Sequence, residues 1–198
     1  MKKLIIWLLI IAACWTFYNR SGQVELGPGV MAPAVPIQRN IDAPISHRID
    51  DYNISELAQF DIKAKVLAKK NYHLGREADL SPTDLALGWG NMSDERILGQ
   101  IKISQSGRFY FWRVDSFPIP RNEIETSSAN MHLIPANESV KSTIKKIRQG
   151  DLVEISGSLV NVISNNGDWR WSSSLTRNDT GNGACELIWV KSLRIVTP

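Results

Sequence analysis

Cysteine and histidine are scarce in this chain, and their scarcity removes several functions at once. Two cysteines occur among 198 residues, one inside an apolar segment (Cys14) and one near the C-terminus (Cys185), so there is no disulfide framework and no Cys-x-x-Cys motif. The three histidines, His47, His73 and His132, are too scattered for a metal motif, and no metal or other cofactor is expected. The chain carries no recognisable catalytic signature, and the absence of a βαβ alternation argues against a Rossmann fold. A concentrated positive charge is missing as well. The net charge is +3, and Lys2, Lys3 and Arg20, in a stretch with no acid, account for all of it. Residues 21–198 are electrically balanced, which gives no electrostatic case for nucleic-acid binding, and no nucleic-acid partner is expected.

Long hydrophobic runs are also few. The one that stands out is Leu4–Tyr18, uncharged, preceded by two lysines and closed by Arg20. As a helix it would span about 22 Å, somewhat short of a hydrocarbon core of about 30 Å. Snorkelling by the flanking Lys2, Lys3 and Arg20, and interfacial placement of Trp7, Trp15, Phe17 and Tyr18, make up the difference. Residues 1–19 are therefore expected to be a transmembrane signal-anchor, and the basic bias puts the N-terminus in the cytoplasm and the main domain outside. An alternative rests on Ile11-Ala12-Ala13-Cys14, which fits a bacterial lipobox and would attach the protein through a lipid on Cys14.

Residues 20–55 hold Gly22, Gly27, Pro28, Gly29, Pro33, Pro36 and Pro44. Proline removes amide donors and glycine resists ordering, so this stretch is expected to be an extended tether with polyproline II character, able to pack along the domain as an arm. Residues 56–198 are expected to form a β-rich extracytoplasmic domain. Ile62, Ala64, Val66 and Ala68 alternate as in a strand with one buried face. Ser81-Pro82-Thr83-Asp84 reads as the start of a short helix, with Asp84 as a first-turn acid. Ser93-Asp94-Glu95-Arg96 starts a single helical turn, and Phe109–Val114 is strongly β-forming.

Asn137 caps an amphipathic helix whose Val140, Ile144 and Ile147 share a face. A long strand from Gly150 to Val160 has Gly157 in its middle, which marks a bulge or bend. Asn165-Asn166-Gly167-Asp168 turns the chain back into Trp169-Arg170-Trp171, and Glu186–Val196 is the last strand. Strands, a helix, a bent strand, a hairpin and a final strand predict a mainly β (α+β) domain. The order matches an OB-like Greek-key barrel with one amphipathic helix between its third and fourth strands, preceded by the transmembrane helix.

Three stretches carry a family resemblance: Leu80–Gly90 (LSPTDLALGWG), Ser128–Ala136 (SANMHLIPA) and Ser173–Glu186 (SSLTRNDTGNGACE). They resemble a family of uncharacterised bacterial proteins that have a short N-terminal membrane segment, a Gly-Pro-Gly linker and one β-rich domain. The resemblance implies a bacterial envelope location and no particular activity. With the anchor, it leads to a single-pass protein of the inner membrane whose C-terminal domain is periplasmic.

Two sites stand out. Within Arg177–Glu186, Arg177, Asp179, Gly181, Gly183 and Glu186 form a candidate ligand-binding set, in which glycine amides and an arginine would converge on an anion. Cys185 and His132 form an alternative nucleophile–base pair, with Asn130 or Asp179 to orient the imidazole. Trp112, Trp169, Trp171 and Trp189, on alternating strands, are expected in or half within the core. The favoured function is a binding module for a partner protein or envelope component, and the alternative is an envelope hydrolase acting through Cys185 and His132.

Overall fold

The computed structural model describes Trp7, residues 22–176 and residues 185–196. Strand makes up 48% of the described residues and helix 17%, so the described part is mainly β. The anchor at residues 1–19 lies, apart from Trp7, outside the described residues, as does Cys14. Among the described residues no helix is long and apolar enough to cross a membrane.

Ten strands are described: β1 (Ile37–Asn40), β2 (Ser46–Ile49), β3 (Tyr52–Asn71), β4 (Thr83–Gly88), β5 (Ile101–Ser106), β6 (Phe109–Val114), β7 (Ser128–Pro135), β8 (Leu152–Ser164), β9 (Arg170–Ser172) and β10 (Glu186–Val196). Four short helices interleave with them: α1 (Arg76–Leu80), α2 (Glu95–Leu98), α3 (Arg121–Thr126) and α4 (Glu138–Lys146). Five strands pair in a ring. β3 pairs with β4, β4 with β7, β7 with β10, β10 with β8, and β8 returns to β3. Only the β7–β10 contact is parallel. β1 and β2 add to β3, β9 adds to β8, and β5 with β6 forms a separate hairpin.

The strand alternation sorts the side chains between the two faces of this ring. Phe60, Leu85, Leu87, Met131, Leu133, Ile155, Ile188 and Val190 make one core, which Val140, Ile144 and Ile147 of the α4 segment also enter. The opposite face of β7 carries Asn130, His132 and Ile134. There Ile134 joins Leu187 and Trp189 under Trp169 and Trp171, while Ala86 of β4 packs under the β5–β6 hairpin. β3 serves both sets because it is irregular: its pairing slips at Leu57 and again at Leu67, and Leu67 turns toward the hairpin. Gly157 of β8 lies where β10 crosses so closely that a Cβ would strike the Trp189 carbonyl, opposite the register slip at Lys191.

The helix expected at Ser81–Leu87 is not formed. Residues 83–88 are β4, buried at every position and paired on both sides, with β3 and β7. The cap-like Ser-Pro-Thr-Asp pattern is overridden because apolar residues on both faces satisfy two cores, as in a central strand. A short helix does occur just before it, as α1. α2 follows its sequence signal, with Asp94 capping through the Arg96 amide, and Asn137 caps α4 through the Val140 amide. At the other end of α4, Lys69 donates to the carbonyls of Ile144, Lys145 and Ile147.

The Gly/Pro-rich stretch is extended, and it is fastened to the domain. Glu95 accepts the Leu26 and Gly27 amides at 2.7 and 2.9 Å, Asp94 accepts that of Gly29, and Ser93 accepts those of Met31 and Ala32. Ala32 is fully buried, and the Val24 amide bonds to the Gln149 carbonyl. Gly150, at φ +89°, admits the arm there, since a Cβ would collide with the Val24 backbone. β1 and β2 then continue the same stretch as edge strands on β3.

Carboxylates carry much of this fastening. Burial alone would raise the Glu56 carboxyl, but hydrogen bonds from Lys191, Ser158 and His47 outweigh it and hold its pKa below the ordinary value. Burial likewise opposes the Glu95 shift, and Lys65 with the Leu26 and Gly27 amides overcomes it, lowering the pKa. For Asp94 the Arg96 side chain is the main cause of a pKa well below the carboxylate range. A depressed pKa means that the folded state binds fewer protons than the unfolded chain. The stability these groups contribute is complete above about pH 4.5 and is lost as pH falls through the lower folded-state values. The urea midpoint is expected to drop between pH 5 and pH 3, and Glu56→Gln should make that decline shallower. A midpoint independent of pH across this interval would refute the assignment.

Candidate functional site

The β5–β6 hairpin closes through Gly107 and Arg108, at φ +58° and +70°. Positive φ at both central residues is the type I′ turn, which suits the twist of adjoining strands. Arginine is an uncommon choice there. Its side chain accounts for the position. One guanidinium nitrogen, Nη1, donates to Asp84 Oδ1 at 2.7 Å and to the Ser81 carbonyl at 2.9 Å. The guanidinium also lies 3.8 Å from the Tyr72 ring centre and 5.6 Å from that of Trp171.

Asp84 is fully buried on β4, directly across from His132 on β7. His132 Nδ1 sits 2.9 Å from Asp84 Oδ1 without hydrogen-bond alignment, and its ring packs 4.8 Å from Trp171. Two residues back along β7, Asn130 accepts from Gln105 Nε2 at 2.7 Å and donates to the Arg108 carbonyl at 3.0 Å. Asp84 Oδ2, Arg108 Nη2 and Gln105 Oε1 are buried with no hydrogen-bond partner among the described residues. Burial raises the Tyr72 phenol, and it pushes that of Tyr110 up to about 12 against the pull of the Ser128 hydrogen bond. Both phenols therefore stay neutral donors or acceptors at physiological pH.

Beside this cluster lies a cleft of about 680 Å³. One wall is the unbroken run Phe109–Phe117, and the opposite side includes Ala129, Asn130, Thr176, Cys185 and Glu186. Neighbouring residues of a strand face opposite ways, so a cleft lined by every residue of β6 runs along the strand's edge. That edge is unpaired among the described residues. In a hairpin closed by a two-residue I′ turn, Ser106 and Phe109 form the bonded pair, so Tyr110, Trp112 and Val114 turn their backbone groups outward. Phe111 and Phe117, both more than half exposed, flank the edge.

Of the residues singled out from sequence, Glu186 is buried at the start of β10 and lines the cleft. Arg177, Asp179, Gly181 and Gly183 lie outside the described residues, although Thr176 and Cys185 on either side of that loop line the cleft too. The Cys185 thiol lies 4.0 Å from Asn130 Nδ2 and 3.9 Å from the Arg108 carbonyl. His132 is turned toward Asp84 and Trp171. Trp189 is buried, while Trp112, Trp169 and Trp171 are half-buried, Trp112 in the cleft wall.

Sequence reading passed over Arg108, Gln105 and Tyr72, and it took Asp84 for a first-turn acid. A signal was present for Arg108: Ser106-Gly107-Arg108 separates the alternating Ile101–Gln105 from the β-forming Phe109–Val114, as in a hairpin. For Asp84 the local signal pointed to a helix cap and away from a buried partner.

Fold and site together define a mainly β domain with a buried Asp–Arg–His cluster next to an aromatic, edge-lined cleft. Comparison with protein-family models, with curated proteins and with solved structures found no match to this chain.

Proposed function

We propose that this chain is a membrane-anchored bacterial envelope protein whose periplasmic domain is an OB-like barrel that binds an extended polypeptide segment of a partner. The location rests on the apolar segment with its basic flanks and on the family resemblance. The fold assignment rests on strand order. The ring strands run β3, β4, β7, β8, β10 along the chain, the third and fifth are neighbours, and α4 lies between the third and fourth. OB folds bind ligands on the face of strands 2 and 3 and with the loops that join strands 1 to 2 and 4 to 5. The corresponding parts here are the β4–β7 face with Asp84, Asn130 and His132, the 72–82 loop with Tyr72 and Ser81, and the 165–185 segment with Trp171 and Cys185. The balanced charge speaks against oligonucleotides.

One observation carries the choice of a polypeptide: an aromatic cleft runs along an open strand edge. Such an edge offers a ladder of donors and acceptors that an added strand satisfies, while Phe111 and Phe117 supply apolar contacts. Peptides selected from a random display library against the protein are expected to protect the amides of Tyr110, Trp112 and Val114 from hydrogen exchange. Phe111→Ala combined with Phe117→Ala should weaken such peptides roughly tenfold or more, because exposed aromatic anchors dominate interfaces of this kind, with little change in the unfolding midpoint. Selection of peptides that protect a different surface, or undiminished binding by the double variant, would count against this reading.

A further inference from the structure

The arm is fastened close to a basic surface, and this juxtaposition bears on how the domain sits at its membrane. Val24 is tied to Gln149, just beyond the C-terminal end of α4. Along that helix and the two residues after it stand Lys141, Lys145, Lys146 and Arg148. Lys141 pairs with Glu138, and Arg148 pairs with the buried Asp151. Lys145 and Lys146 are exposed and have no carboxylate partner among the described residues. The one acid on the adjoining part of the arm is Glu25, which is exposed. Lys69 already caps the helix carbonyls, so Lys145 and Lys146 are not needed for that task.

Only Ser21, Gly22 and Gln23 separate Arg20 from Val24. Four residue steps reach about 14 Å at full extension. An arm free from residue 20 to 55 would let the domain float well off the bilayer, but an arm tied at Val24, and again at Leu26–Ala32, leaves no such slack.

We infer that the α4 surface bearing Lys145 and Lys146 docks on the anionic headgroups of the bilayer that holds the chain's own N-terminal segment. The inference rests on the anchor reading of residues 1–19. The occupant is identified by the short leash and by charge complementarity, since lysines next to a membrane segment are attracted to anionic phospholipid within a Debye length. Docking there fixes one orientation of the domain relative to the membrane.

The test uses the full chain in nanodiscs containing one-third phosphatidylglycerol or phosphatidylcholine alone, with brief amine acetylation read residue by residue by mass spectrometry. Labelling of Lys145 and Lys146 is expected to be about fivefold slower on the anionic discs. Labelling of the exposed Lys102 on β5 should be the same on both, and the difference should vanish in high salt. Equal labelling of Lys145 and Lys146 on the two discs, with the protein still disc-bound, overturns the docking inference alone. A chain that separates from both kinds of disc on gel filtration sinks the anchor reading, and the inference with it.

Discussion

Replacing Glu95 by alanine is expected to destabilise the domain by about 3–5 kcal/mol and to release the arm. The side chain does two jobs. Its Oε1 receives Lys65 Nζ at 2.7 Å, where the lysine is only 2% exposed, and its two oxygens take the Leu26 and Gly27 amides. Without the carboxylate, Lys65 keeps a charge that the interior does not match, and two arm amides lose their acceptor. The arm should then become sensitive to protease between residues 22 and 36, in parallel with a lower urea midpoint. Lys65→Met in the same chain supplies the control. Removing both charges leaves no buried ion, so the double variant should regain most of the stability without re-fastening the arm. If Glu95→Ala shifts neither the midpoint nor the cleavage pattern, the clamp has been misassigned.

The second large effect is expected at Asp84. Asp84→Ala leaves Arg108 and His132 facing each other across the β4–β7 face with no anion between them, and it should cost a further loss of the same order, about 3–5 kcal/mol. Arg108 also shapes the β5–β6 turn, so the loss should loosen the hairpin in particular. Amide exchange in residues 101–114 should accelerate more than in β8 or β10, whose ladders do not depend on Asp84. A uniform acceleration across the domain would show that Asp84 supports the whole ring and not the hairpin. Arg108→Leu with Asp84→Leu should be far milder than either single change, because a matched apolar pair carries no unsolvated charge.

The two effects are expected to combine additively. Glu95 and Lys65 hold the arm, Asp84 and Arg108 hold the hairpin, and none of the described ion pairs joins the two networks. This separation matters for function. The hairpin forms one wall of the cleft, whereas the arm is fastened at Glu95 through the Leu26 and Gly27 amides.

Several elements were legible because short-range chemistry specifies them. The Asn137 cap, the apolar stripe of α4 and the final strand follow from side-chain period and cap geometry within a few residues. The order of strands about that helix pointed to a mainly β domain for the same reason. β4 misled because its cap-like residues and its strand-like burial make opposite demands, and only its neighbours β3 and β7 decide between them. Asp84 shared that fate, since a carboxylate after Ser-Pro-Thr looks like a capping group until a partner 24 residues away, Arg108, is seen against it. The arm was ambiguous between tether and fastened strand because its backbone amides find their acceptors on Ser93, Asp94 and Glu95, more than 60 residues on.

The amino-acid sequence by itself determined the charge balance of the domain, the apolar segment with its basic flanks, the poverty in metal ligands and the β-rich composition, because each is a sum or a period along the chain. The tertiary structure alone decided that Asp84, Arg108, His132 and Asn130 meet beneath a hairpin, that the edge of β6 opens on a cleft, and that the arm is tied at Val24. Each of these depends on which distant segments pair, and pairing is settled by burying both faces of the ring at once, a condition that no local stretch of sequence expresses.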